Sequence, residues 1–422
     1  LTVILGAGIT GLSVAYHLKE KNHDFIIIEK EKNPGGLCRN INIEGYIFNY
    51  TGHFLHCKTA YVRDLAVKLV PRIKTIKRNS YVYLDKRVIP YPIQSNEEYL
   101  SPVSRIKSSI GYLIRNKREP RNLDDWFIYN FGRGLYSIFF KPYNEKLLKY
   151  PLKDIVPDFL TGYVPKNSQT SSRKNIGYNA EFLYPDKGIG ELVSSISRGI
   201  KISRGEVRKV DKRYVYFNSG KIKYENLVST IPLPEFLKLF RKNGEKFESK
   251  NGDLVWNSVL CLNIGIKGKF SFGSSIKKSK DSNFNPSQFH WIYFPDKNFP
   301  FYRIGSLSNV SPQLAPDDCS SVWVEISYRK NKPGNKIIDT VIKSLEQIGL
   351  CKKEAIAHVS EVDILYAYPI YDKNREKIIK EIKDFLEKCN ITLVGRFGEW
   401  QYSYIEESIL EGKRIAEKLC RQ

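Results

Sequence analysis

The chain opens with an unbroken apolar run, Leu1-Thr-Val-Ile-Leu5, which has the length and β-branched character of a buried strand. Leu12, Ala15 and Leu18 follow as a stripe at helical spacing, and a second apolar run, Phe25 to Ile28, ends at Glu29. Between the first run and the stripe stands Gly6-Ala-Gly8-Ile-Thr-Gly11. Strand, glycines, helix, strand and terminal acid in this register predict a βαβ unit shaped for a dinucleotide. Gly6 permits the tight turn, Gly8 lets the backbone approach a pyrophosphate, and Gly11 allows helix and strand to pack closely. The helix N-terminus faces the phosphates, and Glu29 can accept from ribose hydroxyls. A second glycine pair, Gly35-Gly36, and Arg39 come next. Backbone amides at such a pair can approach a further part of a long cofactor, and Arg39 can meet phosphate charge. The plainer alternative is an ordinary turn with a surface arginine.

Beyond this unit the pattern is less regular. Residues 60–70 and 99–130 read as partly helical. Tyr81 to Leu84 and Arg87 to Ile89 read as a hairpin turning at Asp85-Lys86. Short strands are predicted within 196–235, which suggests that the cofactor domain resumes after an insertion. A second strand-rich region spans 254–330, and helices are predicted at 336–349 and 372–389. Ile391 to Val394 reads as a strand, followed by the glycine-punctuated Gly395-Arg396-Phe-Gly398. A helix then carries Ile405, Ile409, Gly412, Ala416 and Leu419 on one face. The segments predicted are 1–75, 196–240 and 366–422 for the cofactor domain, 76–195 for a largely helical, substrate-facing insertion, and 241–365 for an antiparallel-sheet substrate domain.

Composition narrows the class. The chain has 422 residues, 41% apolar and 27% charged, as expected of a large globular protein with more than one domain. No apolar run reaches the length of a membrane helix, and no signal segment is evident, so no membrane insertion and a soluble, cytoplasmic protein are expected. Seven scattered cysteines without CxxC spacing and six histidines support neither a disulfide framework nor a metal site. The net charge of +23 favours anionic partners. No helix-turn-helix, zinc finger or stacking-sheet motif accompanies it, so a nucleic-acid partner is not expected.

Several strings together carry a family likeness. They are the glycine fingerprint with Glu29, Gly35-Gly36-Leu-Cys-Arg39, Phe48-Asn-Tyr-Thr-Gly52-His53, Val88-Ile-Pro90-Tyr-Pro92, and Lys141-Pro-Tyr143-Asn-Glu-Lys146. Gly177-Tyr-Asn179, His290-Trp291-Ile-Tyr293-Phe-Pro295, Phe301-Tyr302-Arg303 and Gly395-Arg396-Phe-Gly398-Glu-Trp400-Gln-Tyr402 complete the set. The chain resembles the FAD-dependent amine-oxidase and glutathione-reductase-like superfamily, and within it looks most like UDP-galactopyranose mutases. The resemblance implies an α/β fold. Its parts are a Rossmann-like FAD-binding domain of glutathione-reductase type, a helical insertion and a mixed or antiparallel sheet substrate domain. It implies FAD held at Gly6, Gly8, Gly11, Glu29, Gly36, Arg39, His53, Val207, Gly395 and Arg396. Tyr143, Asn179, Trp291, Tyr293, Arg303 and Tyr402 would meet the substrate.

The activity so implied is a flavin-dependent isomerase, a mutase interconverting pyranose and furanose forms of a nucleotide-diphosphate sugar such as UDP-galactose. It would need reduced FAD and an electron donor to the flavin, and it is compatible with a homo-oligomer. Arg303 and Arg173 would hold the departing diphosphate, because planar guanidinium groups pair bidentately with phosphate oxygens. Tyr302 and Tyr402 would add hydroxyl donors, and His53 would lie beside the flavin ring. The sequence departs from the mutase pattern at Asn49, at Thr51 and from Ser403 to Glu407. The alternative is an FAD-dependent oxidase or desaturase of amine-oxidase type, with an apolar substrate channel in place of convergent arginines.

Overall fold

The computed structural model describes residues 1–115, 118–160, 162–165, 180–218, 220–241, 244, 246–248, 252–270 and 285–421. Its centre is a five-stranded parallel sheet in the order Ile391–Leu393, Asn226–Ser229, Thr2–Leu5, Phe25–Glu29, Ile202–Arg204. Thr2–Leu5 is fully buried, as a strand with neighbours on both edges must be. The helix Ile9–Lys19 crosses between the first two strands and packs on the C-terminal helix Ile405–Leu419. That contact is close because Gly412 faces Ser13 and Val14, where a Cβ would come within 2.5 Å of Ser13 Oγ. The two ends of the chain therefore share one core.

A three-stranded antiparallel sheet, Val207–Val210, Tyr214–Phe217 and Gly220–Lys223, flanks this unit. A seven-stranded mixed sheet forms the second layer. Its order is Ile356–Pro369, Trp256–Lys267, Cys319–Tyr328, Arg303–Gly305, Trp291–Tyr293, Ser80–Leu84, Arg87–Pro90. Only the pairing of Trp291–Tyr293 with Ser80–Leu84 is parallel. Strand alternation divides its residues cleanly. Leu260, Leu262, Ile292, Ile304, Val322 and Val324 face the helix Lys336–Gln347 in one apolar core. Trp291, Tyr293, Arg303, Trp323 and Glu325, at the intervening positions, line a cavity on the opposite face.

The expected α/β fold class is observed. The predicted hairpin forms with Asp85 and Lys86 at φ of 52° and 56°, the left-handed pair a two-residue turn requires. The region 99–130 resolves into the helices Pro102–Leu113 and Leu123–Leu135. The strand Ile356–Pro369 was not predicted. It lies beside Trp256–Lys267 at the sheet edge, and its mixture of exposed and half-buried positions blurs the alternation on which a strand prediction depends.

Candidate functional site

The parallel sheet and the mixed sheet enclose a cavity of about 840 Å³ that runs from Glu29 and Val207 to the aromatic face of the mixed sheet. The strand Thr2–Leu5 ends at Gly6, whose φ of 92° turns the chain into the helix Ile9–Lys19. No side chain caps that helix, so its first amide groups are directed at the cavity. Glu29 Oε2 accepts from the Ala7 amide at 2.7 Å, and the Gly35 amide donates to the Ala7 carbonyl at 2.7 Å. The second glycine pair thereby lies against the first.

A Cβ added at Gly8 would meet no heavy atom within 4 Å, so the space before it is open. One added at Gly11 would meet the Gly6 carbonyl oxygen at 2.0 Å. These two glycines have different jobs: Gly11 lets the protein pack on itself, and Gly8 keeps clear a cradle beside an anion-ready helix end. An uncapped helix N-terminus, an open glycine, an acid at the end of the second strand and a long channel fit a dinucleotide cofactor of FAD size. Arg39 folds back, with Nε donating to the Gly36 carbonyl at 2.9 Å and the guanidinium 4.8 Å over Tyr50 and 3.6 Å from Glu31.

At the far end the walls are aromatic. Tyr368 and Tyr402 stack with centroids 5.7 Å apart and planes at 19°. Arg396 lies 4.6 Å over Tyr402 and donates to the carbonyls of Ser403 (2.9 Å) and Ala367 (2.8 Å). These carbonyls, rather than Glu399 or Glu406, fix its guanidinium. Trp291 Nε1 donates to the Tyr293 hydroxyl at 2.8 Å, and Tyr143 meets Tyr293 edge-on at 5.3 Å. Trp400 does not join this cluster. It is buried elsewhere, edge-on to Trp256 and Tyr366.

Arg303 makes a bidentate pair with Glu325, Nε–Oε2 at 2.7 Å and Nη2–Oε1 at 2.8 Å, and Glu325 is fully buried. Burial works against the Arg303 charge, but the Glu325 carboxylate outweighs it and holds the group well above the usual arginine range. The Nε/Nη2 edge of this guanidinium is therefore already satisfied. Tyr302 is buried behind the pair, and burial followed by the nearby Glu325 charge pushes its hydroxyl well up.

Thr51 Oγ1 meets His53 Nδ1 at 3.2 Å. Burial, then the charges of Arg396 and Arg303, lower the His53 pKa to about 4. Burial, then Arg78, does the same to His56 and His290, each to about 4. All three rings are neutral at pH 7. Between pH 6.5 and 4 the unfolded chain binds more protons than the folded one. Stability is thus fully present above pH 6.5 and is lost as pH falls toward 4, by on the order of 3 kcal/mol for each such ring. Urea midpoints at about pH 7.5 and about pH 4.5 are expected to differ clearly, and His290→Gln is expected to reduce that difference.

The cavity brings together Gly6, Gly8, Glu29, Gly36, Arg39, His53, Val207 and Arg396 with Tyr143, Trp291, Tyr293, Tyr302, Arg303 and Tyr402. Gly11 and Gly395 stand behind its wall, where a Cβ at Gly395 would meet Thr10 Oγ1 at 2.4 Å. Arg173 and Asn179 lie outside the described residues. Glu325 and Arg78 are among the charged groups of the cavity that were not anticipated. Glu325 is an acid within the apolar run Val322-Trp-Val-Glu325-Ile326, a position that demands a buried partner and was readable as such. Arg78 carried no such signal. Its guanidinium lies 4.3 Å over Tyr91 and 4.8 Å over Trp291, with Nε donating to Ser80 Oγ at 2.6 Å and Nη2 to the Tyr293 hydroxyl at 3.3 Å. Among the described residues, no carboxylate lies within ion-pair distance of it.

Residues 4–69 match the NAD(P)-binding Rossmann-like domain. The whole chain superposes on reduced UDP-galactopyranose mutase with a TM-score of 0.88 at 24% identity, covering 100% of this chain and 93% of that one. It superposes on a redesigned putrescine oxidase with a TM-score of 0.68 at 12% identity, covering 100% and 99%. In sequence it is 24% identical over 409 residues to L-amino acid oxidase Bs29 of Bothriechis schlegelii, covering 84% of this chain and 75% of that protein.

These findings correct the expected activity. The likeness to the mutase is one of fold, whereas the sequence relatives over most of the chain carry the names of L-amino-acid oxidases. The balance favours a flavin oxidoreductase over an isomerase. In this cavity Arg303 carries its charge already paired with Glu325 through Nε and Nη2, which leaves its Nη1 donors toward the cavity but no unbalanced charge for a diphosphate. Residues 4–69 thus carry an NAD(P)-binding Rossmann-like unit, and the whole chain shares its fold with UDP-galactopyranose mutase and putrescine oxidase.

Proposed function

We propose that this protein is an FAD-dependent oxidoreductase that oxidises a small amino acid or related amine carrying one carboxylate. The observation that carries the reading is Arg78, a guanidinium without a carboxylate partner among the described residues, set in an aromatic wall, while Arg303 is already neutralised by Glu325. Such a cavity suits one carboxylate and an apolar body better than two phosphates.

Gly6, Gly8, Gly11, Glu29, Gly36, Arg39, Val207, Gly395 and Arg396 would hold or shape the FAD site. Bound FAD supplies a two-electron hydride acceptor. Arg78 fixes the substrate carboxylate through its remaining donors. Tyr368, Tyr402, Tyr143 and Trp291 pack around the substrate body and exclude water. His53, neutral at pH 7, has the protonation state needed to take a proton from a substrate ammonium. The substrate carbon loses hydride and its nitrogen loses a proton. The resulting imine would hydrolyse to an oxo acid and ammonia, with dioxygen or another acceptor as the final oxidant.

Anaerobic mixing of the FAD-loaded protein with a panel of amino acids and simple amines tests this. Bleaching of the flavin absorbance by at least one amino acid is expected. Arg78→Ala should raise KM for that amino acid about tenfold or more, the loss of roughly 1.4 kcal/mol or more of charge-assisted binding, with a smaller change in kcat. Flavin that stays oxidised with every member of the panel overturns the reading.

A further inference from the structure

The helix Pro102–Leu113 packs against Leu123–Leu135 through an unusually close backbone contact, since a Cβ at Gly111 would meet the Gly134 amide nitrogen at 2.2 Å. Ser104, Ser108 and Gly111 form its buried side. Its outer side is apolar. Among the described residues, five of the nine exposed large hydrophobic side chains are Val103, Ile106, Ile110, Leu113 and Ile114. Leu113 is 81% exposed and Ile114 70%. At about 100° per residue these five fall within one arc of roughly 100°, facing away from the buried side. Lys107 lies at one border of this stripe and Arg105 beyond the other, both exposed and, among the described residues, without a carboxylate partner. Arg115, half-buried just past the helix end, is turned inward instead, donating Nη1 to the Tyr112 carbonyl at 2.9 Å and stacked 3.8 Å over its ring.

We propose that this helix docks the protein on an anionic lipid surface, with the apolar stripe entering the interfacial layer and Arg105 and Lys107 meeting lipid phosphates. The stripe belongs to a single convex helix rather than a groove, which suits a fluid interface. A second copy of the chain is a poorer occupant, because a two-fold contact would bring the same basic borders against each other. The overall charge of +23 adds long-range attraction to the same surface. No helix among the described residues is long and apolar enough to cross a membrane, so the contact is peripheral.

The test is co-sedimentation of the full FAD-loaded chain with vesicles of phosphatidylcholine alone and of phosphatidylcholine mixed with phosphatidylglycerol. Binding to the mixed vesicles is expected, and it should weaken with added salt. Ile106→Ser with Ile110→Ser, and separately Arg105→Glu with Lys107→Glu, should each reduce that binding by about tenfold or more. Flavin content should be unchanged in both, since the substituted side chains are exposed. Equal binding to the two vesicle types, or binding to neither, overturns the proposal. So does a wild-type dimer in sedimentation that the Ile106/Ile110 substitutions dissociate while lipid binding persists; that result would assign the stripe to a second copy.

Discussion

Glu325→Gln is expected to destabilise the protein by about 3–5 kcal/mol, the usual consequence of removing one member of a buried ion pair. Glu325 is fully buried and takes two charge-assisted hydrogen bonds from Arg303, on the neighbouring strand and in direct register with it. The substitution retains size and shape but leaves a guanidinium uncompensated 5.8 Å from the centre of the Tyr302 ring. A typical domain has only ~5–15 kcal/mol of stability to lose. The urea midpoint should fall steeply, and Arg303→Met combined with Glu325→Gln should recover much of the loss, because the unpaired charge is gone. A Glu325→Gln protein as stable as the parent would mean that the pair is not what neutralises Arg303, and the argument for a site that accepts a single carboxylate would lose its support.

The second large effect separates cofactor binding from folding. Gly11→Ala places a methyl group 2.0 Å from the Gly6 carbonyl oxygen, a contact that only backbone movement relieves. The turn and the helix it starts must shift, at a cost of roughly 1–3 kcal/mol, so the unfolding midpoint of the FAD-free protein and the affinity for FAD should both fall. Gly8→Ala should behave differently. Its φ of −71° and ψ of 176° suit any residue, and the added methyl meets no protein atom within 4 Å. The FAD-free protein should unfold as the parent does, while FAD affinity drops by on the order of tenfold or more, because the methyl enters space that the pyrophosphate would use. Fluorescence titration with FAD and parallel urea melts of the FAD-free variants check both. Parental FAD affinity in Gly8→Ala would remove the pyrophosphate from the place assigned to it.

How much was legible in advance follows from the range of the forces concerned. The opening βαβ unit was readable because its determinants are local. Gly6, Gly8 and Gly11 act through backbone geometry within one turn, and Glu29 reaches only the end of the neighbouring strand. The hairpin at Asp85-Lys86 and the C-terminal helix were readable for the same reason: turn chemistry and a 3.6-residue stripe need no knowledge of distant partners. Glu325 was half-legible, since an acid in an apolar strand declares that it needs a cation without saying which.

The chemistry at the far end of the cavity was settled by pairings between distant segments. Arg303 reads in sequence as an arginine available to phosphate, and 22 residues separate it from the carboxylate that occupies it. Arg78 follows an undistinguished basic strand, yet folding places it between Tyr91 and Trp291, the latter more than two hundred residues away. The amino-acid sequence by itself determined a dinucleotide site and its fold class, because short-range backbone sterics and hydrophobic periodicity suffice for those. Which guanidinium is spent on a buried carboxylate and which has none beside it among the described residues was decided only by the tertiary structure, because charge pairing depends on distances that strand register creates.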